Sequence, residues 1–153
     1  MTRSMFDPLI GACAVAATLM IPRTVAMAWL TVPRMMAVKG GYPAPEDIRR
    51  TPLDPDHLLP DERVERMRRM HQNDLETVPF FLAAGFPFVL TGPPLWVAQV
   101  LLYGYAASRF LHFWAYAASR TQDTRATFWT IGVVPPMRMP LWVLAAALVA
   151  LAA

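Results

Sequence analysis

Glu62–Thr77 reads ERVERMRRMHQNDLET and runs directly into the apolar segment Val78–Leu90, VPFFLAAGFPFVL. Within it Arg66, Arg69, Asn73 and Glu76 are spaced three, four and three apart, which on a helix places them along one stripe. Two guanidiniums, an amide and a carboxylate at the edge of a membrane-length apolar segment suit a zwitterionic, mostly anionic ligand.

Composition supports a membrane setting for that stripe. Of the 153 residues 56% are hydrophobic and only 16% charged, and the charges are gathered in one block instead of being spread over a surface. That pattern indicates a polytopic membrane protein. Outside the block the chain has room for about four spans of roughly 20 residues and none for a separate soluble domain. The spacing predicts one membrane domain with helical spans over about 8–36, 72–90, 94–118 and 126–151. Thr91-Gly92-Pro93-Pro94 is a tight connection that makes an antiparallel hairpin of the second and third. Ser119–Arg125 is a polar connection. The long one, Ala37–Asp61, contains Gly40-Gly41 and five prolines and is expected to be irregular and to lie outside the hydrocarbon.

Basic residues cluster around these two longer connections, whereas only Arg3 marks the opposite face. The positive-inside rule therefore puts the connections in the cytoplasm and both termini on the other side. The amino-terminal apolar run continues to Val32, longer than a signal peptide requires, and is expected to be retained. Cys13 is the sole cysteine, so intrachain disulfide and dithiol chemistry are excluded; it reads as a small core residue. His57, His71 and His112 lack metal-ligand spacing, and no metal site is expected.

Ionisable groups inside spans are costly and mark either function or pairing. Arg109, His112 and Tyr116 are spaced three and four apart on the third span. Glu76 is the acid with reach to Arg109, so Arg109 reads equally as a structural cluster joining two helices and as part of a site. Arg23 and Arg138 lie near Pro22 and Pro136, which free backbone carbonyls, and are expected to pair with backbone or water. Pro79, Pro87, Pro135 and Pro140 are expected to bend their spans and open space in the bundle.

The Glu62–Thr77 stretch, the upstream Ala44-Pro45-Glu46-Asp47, the Gly92-Pro93 turn, and Arg109, His112 and Tyr116 followed by Arg125 together resemble the MAPEG family, the membrane-associated proteins in eicosanoid and glutathione metabolism. The resemblance runs in order from about Pro45 to Pro135 and lies with the branch that holds glutathione transferases and prostaglandin E synthases. It implies an all-α, four-helix membrane bundle that assembles as a homotrimer, with glutathione bound between subunits near the cytoplasmic face. By position, Arg69, Gln72, Asn73 and Glu76 would hold glutathione, Glu76 taking its glutamyl amine and the arginines its carboxylates. Arg34 from the first span, His112 and Tyr116 would complete the wall.

The resemblance gives the chemistry to Arg125. A thiol with a pKa of about 8.5 is mostly protonated at neutral pH, and an adjacent guanidinium favours the nucleophilic thiolate. Read from position alone, Arg125 serves equally well as an interfacial anchor. Asp47 would orient Arg125. Ala126 and Trp129 replace a serine and a tyrosine of the prostaglandin E synthases, which favours transfer of the thiol to lipophilic electrophiles, with lipid hydroperoxide reduction, over endoperoxide isomerisation. A non-enzymatic lipid-binding scaffold is the rival class, and it predicts loss of Arg125 and of the Asn73–Glu76 stripe. A transporter would show an internal repeat, and none is visible. The expected partners are the bilayer, a lipophilic electrophile and two further copies of the chain, with no nucleic acid. Lys39 is the only lysine among many arginines, a bias that fits a bacterial inner membrane.

Overall fold

A computed structural model describes residues 7–42 and 60–153. The described residues form four α-helices: α1 (Pro8–Val38), α2 (Glu62–Leu90), α3 (Leu95–Ala117) and α4 (Gln122–Ala152). Two of them, α1 and α4, are long and apolar enough to cross a membrane. The polar first half of α2 lowers the apolarity of that helix.

Local chemistry explains the boundaries. Asp7 caps α1, its Oδ1 accepting from Leu9 N at 2.8 Å, with Pro8 at the first helical position, where a missing N–H costs nothing. The helix ends where Lys39 adopts φ 50° and Gly40 N returns to Met35 O at 3.3 Å, a left-handed turn that satisfies the last carbonyls. Asp61 caps α2 by accepting from Arg63 N at 2.8 Å, and Glu62 and Glu65 complement the helix dipole in the first turn. α2 thus begins at Glu62, directly after the Ala37–Asp61 connection, and the charged block is the first half of the helix that carries the apolar segment. Gly92, at φ 77°, makes the reversal into α3. At the end of α3, Ser119 is left-handed (φ 53°) and Arg120 N returns to Ala115 O at 2.9 Å. Helix resumes at Gln122, so Arg125 belongs to α4 and not to the connection before it.

The chain divides into two compact units, Met1–Pro22 with Glu76–Ala153, and Arg23–Leu75. In the first, Ala12, Ala16, Met20, Phe81, Leu102 and Met139 belong to one buried core. Phe81 stacks on Tyr105 with ring centroids 3.9 Å apart, and a Cβ at Gly85 would contact Leu102 at 3.5 Å. The rising α2 numbers against falling α3 numbers make this pair antiparallel, as the Gly92 turn requires. Large apolar side chains face outward, among them Trp96, Val149 and Leu151, an arrangement suited to lipid and costly in water.

In the second unit Arg23 and Asp74 form an ion pair at 2.6 Å, with side chains 8% and 0% exposed. This corrects the expectation that Arg23 pairs with backbone or water. Asp74 follows Asn73 and is therefore turned about 100° off the polar stripe, into the buried side of α2. Arg138 is exposed on α4.

Candidate functional site

In the first unit, α3 and α4 bring together three of the expected site residues. His112 and Tyr116 sit one turn apart on α3 and are buried, with ring centroids 4.9 Å apart in an edge contact. The left-handed turn at Ser119 folds the first turn of α4 back over them, and the Arg125 guanidinium carbon lies 4.7 Å from the Tyr116 ring centroid. A cation over an aromatic face at that distance is attracted by the ring's quadrupole. Arg125 Nε is buried with no hydrogen-bond partner, so the group keeps an unused donor beside two polar aromatic rings. Arg120 makes a similar contact on the exposed side of α3, 4.9 Å from the Trp114 ring.

One turn below lies Arg109, fully buried. It donates to Thr77 Oγ1 at 3.3 Å and to the Trp129 carbonyl at 3.2 Å, and its guanidinium lies 5.5 Å from the Tyr105 ring centroid. Tyr105 itself donates to Thr77 at 3.2 Å. Of the two readings open to Arg109, these bonds support the structural one: it ties α2, α3 and α4 together directly beneath His112. Gly132 makes this possible, because a Cβ there would lie 2.6 Å from Ser108 Oγ and 2.8 Å from Arg109 Cζ. Gly132→Ala should therefore destabilise the protein by about 1–3 kcal/mol, the usual cost of overpacking. A melting temperature unchanged by the substitution would show that the guanidinium has room to move.

In the second unit, the first half of α2 presents the polar stripe. Arg69 pairs with Glu62 at 2.6 Å, and both side chains are exposed; Arg66 approaches the same carboxylate at 3.9 Å. Asn73 donates to the Arg69 carbonyl at 2.9 Å. An exposed pair of this kind is worth only about 0–1 kcal/mol, so a ligand carboxylate can displace Glu62 from Arg69 at little cost. Gln72 borders a groove with residues of α1, and Arg34 is exposed on α1; Glu76, also exposed, is the α2 residue at which the first unit begins. Asp47 lies outside the described residues. Sequence reading missed Arg68, which pairs with Glu65 and donates to Gly41 O at 2.5 Å. Its spacing of three from Glu65 was the available signal.

The architecture is that of a helical protein with membrane-type helices and a cationic, aromatic-lined cluster where α3 meets α4. Comparison with known proteins makes the assignment specific: residues 10–147 match the MAPEG family, and the chain belongs to it. The chain is 29% identical to the prostaglandin E synthase of Macaca fascicularis over 141 residues, 92% of this chain and 91% of that one. The human prostaglandin E synthase aligns at 29% over 140 residues, with the same coverage of both chains. Microsomal glutathione S-transferase 1 of Bos taurus is 40% identical over 76 residues, 50% of this chain and 49% of that one. Both kinds of relative are enzymes of this membrane-associated family.

Proposed function

We propose that the protein is a glutathione-dependent membrane transferase, and that the observation carrying this reading is the Arg125 guanidinium, with its unpartnered buried Nε, stacked on Tyr116 beside His112. Glutathione is bound between neighbouring copies of the chain; Arg69, Gln72, Asn73 and Glu76 of α2 with Arg34 of α1 contribute to holding it, and His112 and Tyr116 to walling the thiol. Arg125 stabilises the thiolate, whose proton passes to solvent. The thiolate sulfur then forms a bond to the electrophilic carbon of a lipophilic acceptor, and the leaving group departs with the electrons of the broken bond. Lipid hydroperoxides are a second class of acceptor. Asp47 orients Arg125 in the same reading.

The assembly proposed is a homotrimer of four-span chains in a bacterial inner membrane, with the thiol site toward the cytoplasm. The basic residues around the polar connections support that orientation. Alignment with prostaglandin E synthases over nearly the whole chain favours endoperoxide isomerisation as a second reading. Ala126 offers no hydroxyl next to Arg125, which weighs against it. A scaffold role is disfavoured by the presence of Arg125 and of the Asn73–Glu76 pair.

The test is thermal. Millimolar glutathione should raise the melting temperature of the detergent-solubilised protein by mass action, and crosslinking of the same sample should give trimers. No shift with glutathione, alongside a shift with cysteinylglycine, which lacks the glutamyl group, would remove the assignment of the α2 stripe.

A further inference from the structure

Arg138 stands near the midpoint of α4, a helix long and apolar enough to cross a membrane, and is the only ionisable residue in it after Arg125. A cation at that depth is costly. It is normally found against a counter-ion or a water-filled cavity, and snorkelling relieves only those near helix ends. Arg138 is nonetheless exposed. It makes no hydrogen bond or ion pair among the described residues, so the bond expected to a carbonyl freed by Pro136 is not formed.

The face around it has a period. Ile131, Val134, Arg138, Leu141, Ala145 and Leu148 are spaced alternately three and four apart, all are exposed, and none of the prolines inside α4 belongs to the stripe. That is the spacing of a seam along which one helix packs on another, with Arg138 at an inner position, where a lone polar residue specifies register and partner. Ala145 leaves room for a second backbone to approach. The apolar members alone decide nothing on so apolar a helix; the arginine sets what can cover them.

A second copy of the chain does not supply the counter-charge. The acids within the four helices are Glu62, Glu65, Asp74 and Glu76 of α2 and Asp123 of α4, and Asp7 is engaged as the cap of α1. Those of α2 all precede Thr77, which bonds to Arg109 at the level of the Trp129 carbonyl, about 14 Å of helical rise short of Arg138. We infer that this stripe of α4 docks a membrane-spanning helix of a different protein, one that carries an Asp or Glu at the depth of Arg138. The carboxylate pairs with the guanidinium, and the partner's apolar side chains pack between Val134, Leu141 and Ala145. The inference uses no residue assigned to glutathione and stands apart from that reading.

The experiment reconstitutes the full chain, labelled at its carboxyl terminus with an energy-transfer acceptor, in phosphatidylcholine vesicles. The probe is a donor-labelled leucine–alanine peptide of about 20 residues, enough to span, with one central glutamate. Transfer should saturate with this peptide and stay at the level of random collision when leucine replaces the glutamate. Arg138→Leu should weaken association about tenfold, the scale of one polar contact between membrane helices. Arg138→Lys keeps the charge and should restore most of it, whereas Val134→Trp keeps the arginine but blocks the seam and should weaken it again. Equal transfer with the two peptides, or unchanged transfer in both Arg138→Leu and Val134→Trp, would overturn the inference. So would a changed crosslinking pattern of Arg138→Leu without peptide, which puts the arginine between copies, or loss of transfer on adding phosphatidylglycerol, which gives it to a lipid phosphate. Absence of glutathione-induced stabilisation in the parent protein, with transfer intact, would sink the transferase reading and leave this one standing.

Discussion

Arg125→Ala leaves glutathione affinity within a few fold and lowers turnover with an aryl halide by about two orders of magnitude, the scale on which loss of a transition-state charge stabiliser is felt. The expectation follows from the position of the guanidinium. It is stacked on Tyr116 at the start of α4, whereas the residues assigned to holding glutathione lie on α2 and α1. Arg69→Ala should behave in the opposite way, weakening binding more than turnover. The defect in Arg125→Ala should also shrink as pH rises past the thiol's own pKa of about 8.5, because the thiolate then forms unaided. Arg125→Lys retains the charge without the planar donor fork and should fall between the two. Full turnover in Arg125→Ala across the pH range would reduce the residue to an anchor of α4.

Asp74→Ala should be the most destabilising single change in the Arg23–Leu75 unit. It leaves the Arg23 guanidinium, 8% exposed, without its counter-ion, and breaking a buried pair from one side costs about 3–5 kcal/mol. For a chain of this size that corresponds to a fall in melting temperature of at least about 6 °C. Replacing both partners with apolar residues, Arg23→Met with Asp74→Leu, should recover most of the loss, because two desolvation penalties disappear with the pair. A double variant as unstable as the single one would show that the two residues matter for reasons other than each other's charge.

How much of this was legible in the sequence depended on the range of the interaction. The Gly92 reversal, the helical stripe on α2 and the shared face of Arg109, His112 and Tyr116 follow from local spacing, and the helices carry them as expected. The start of α4 was misjudged, because Ser119–Arg125 was read as a connection. Gln122–Arg125 is polar, yet Asp123 in the first turn favours helix. Pairings between helices were the least legible. Asp74 sits beside Asn73 in sequence but faces the other way, and only its placement against α1 identifies Arg23 as its partner. Gly132 carried no signal at all, because its role is to leave space for an arginine that lies on a different helix.

The Arg23–Asp74 pair also bears on how the chain enters a membrane. Arg23 lies in the middle of α1, a helix apolar enough to cross, but its counter-ion is 51 residues further along the chain. During synthesis α1 is complete well before Asp74 has left the ribosome. Until then the guanidinium carries a penalty of about 2.5–3.5 kcal/mol at the centre of a lone span. The first helix is therefore a poor stopping point for insertion. Its insertion is expected to be completed only once the first half of α2, with Asp74, has been made.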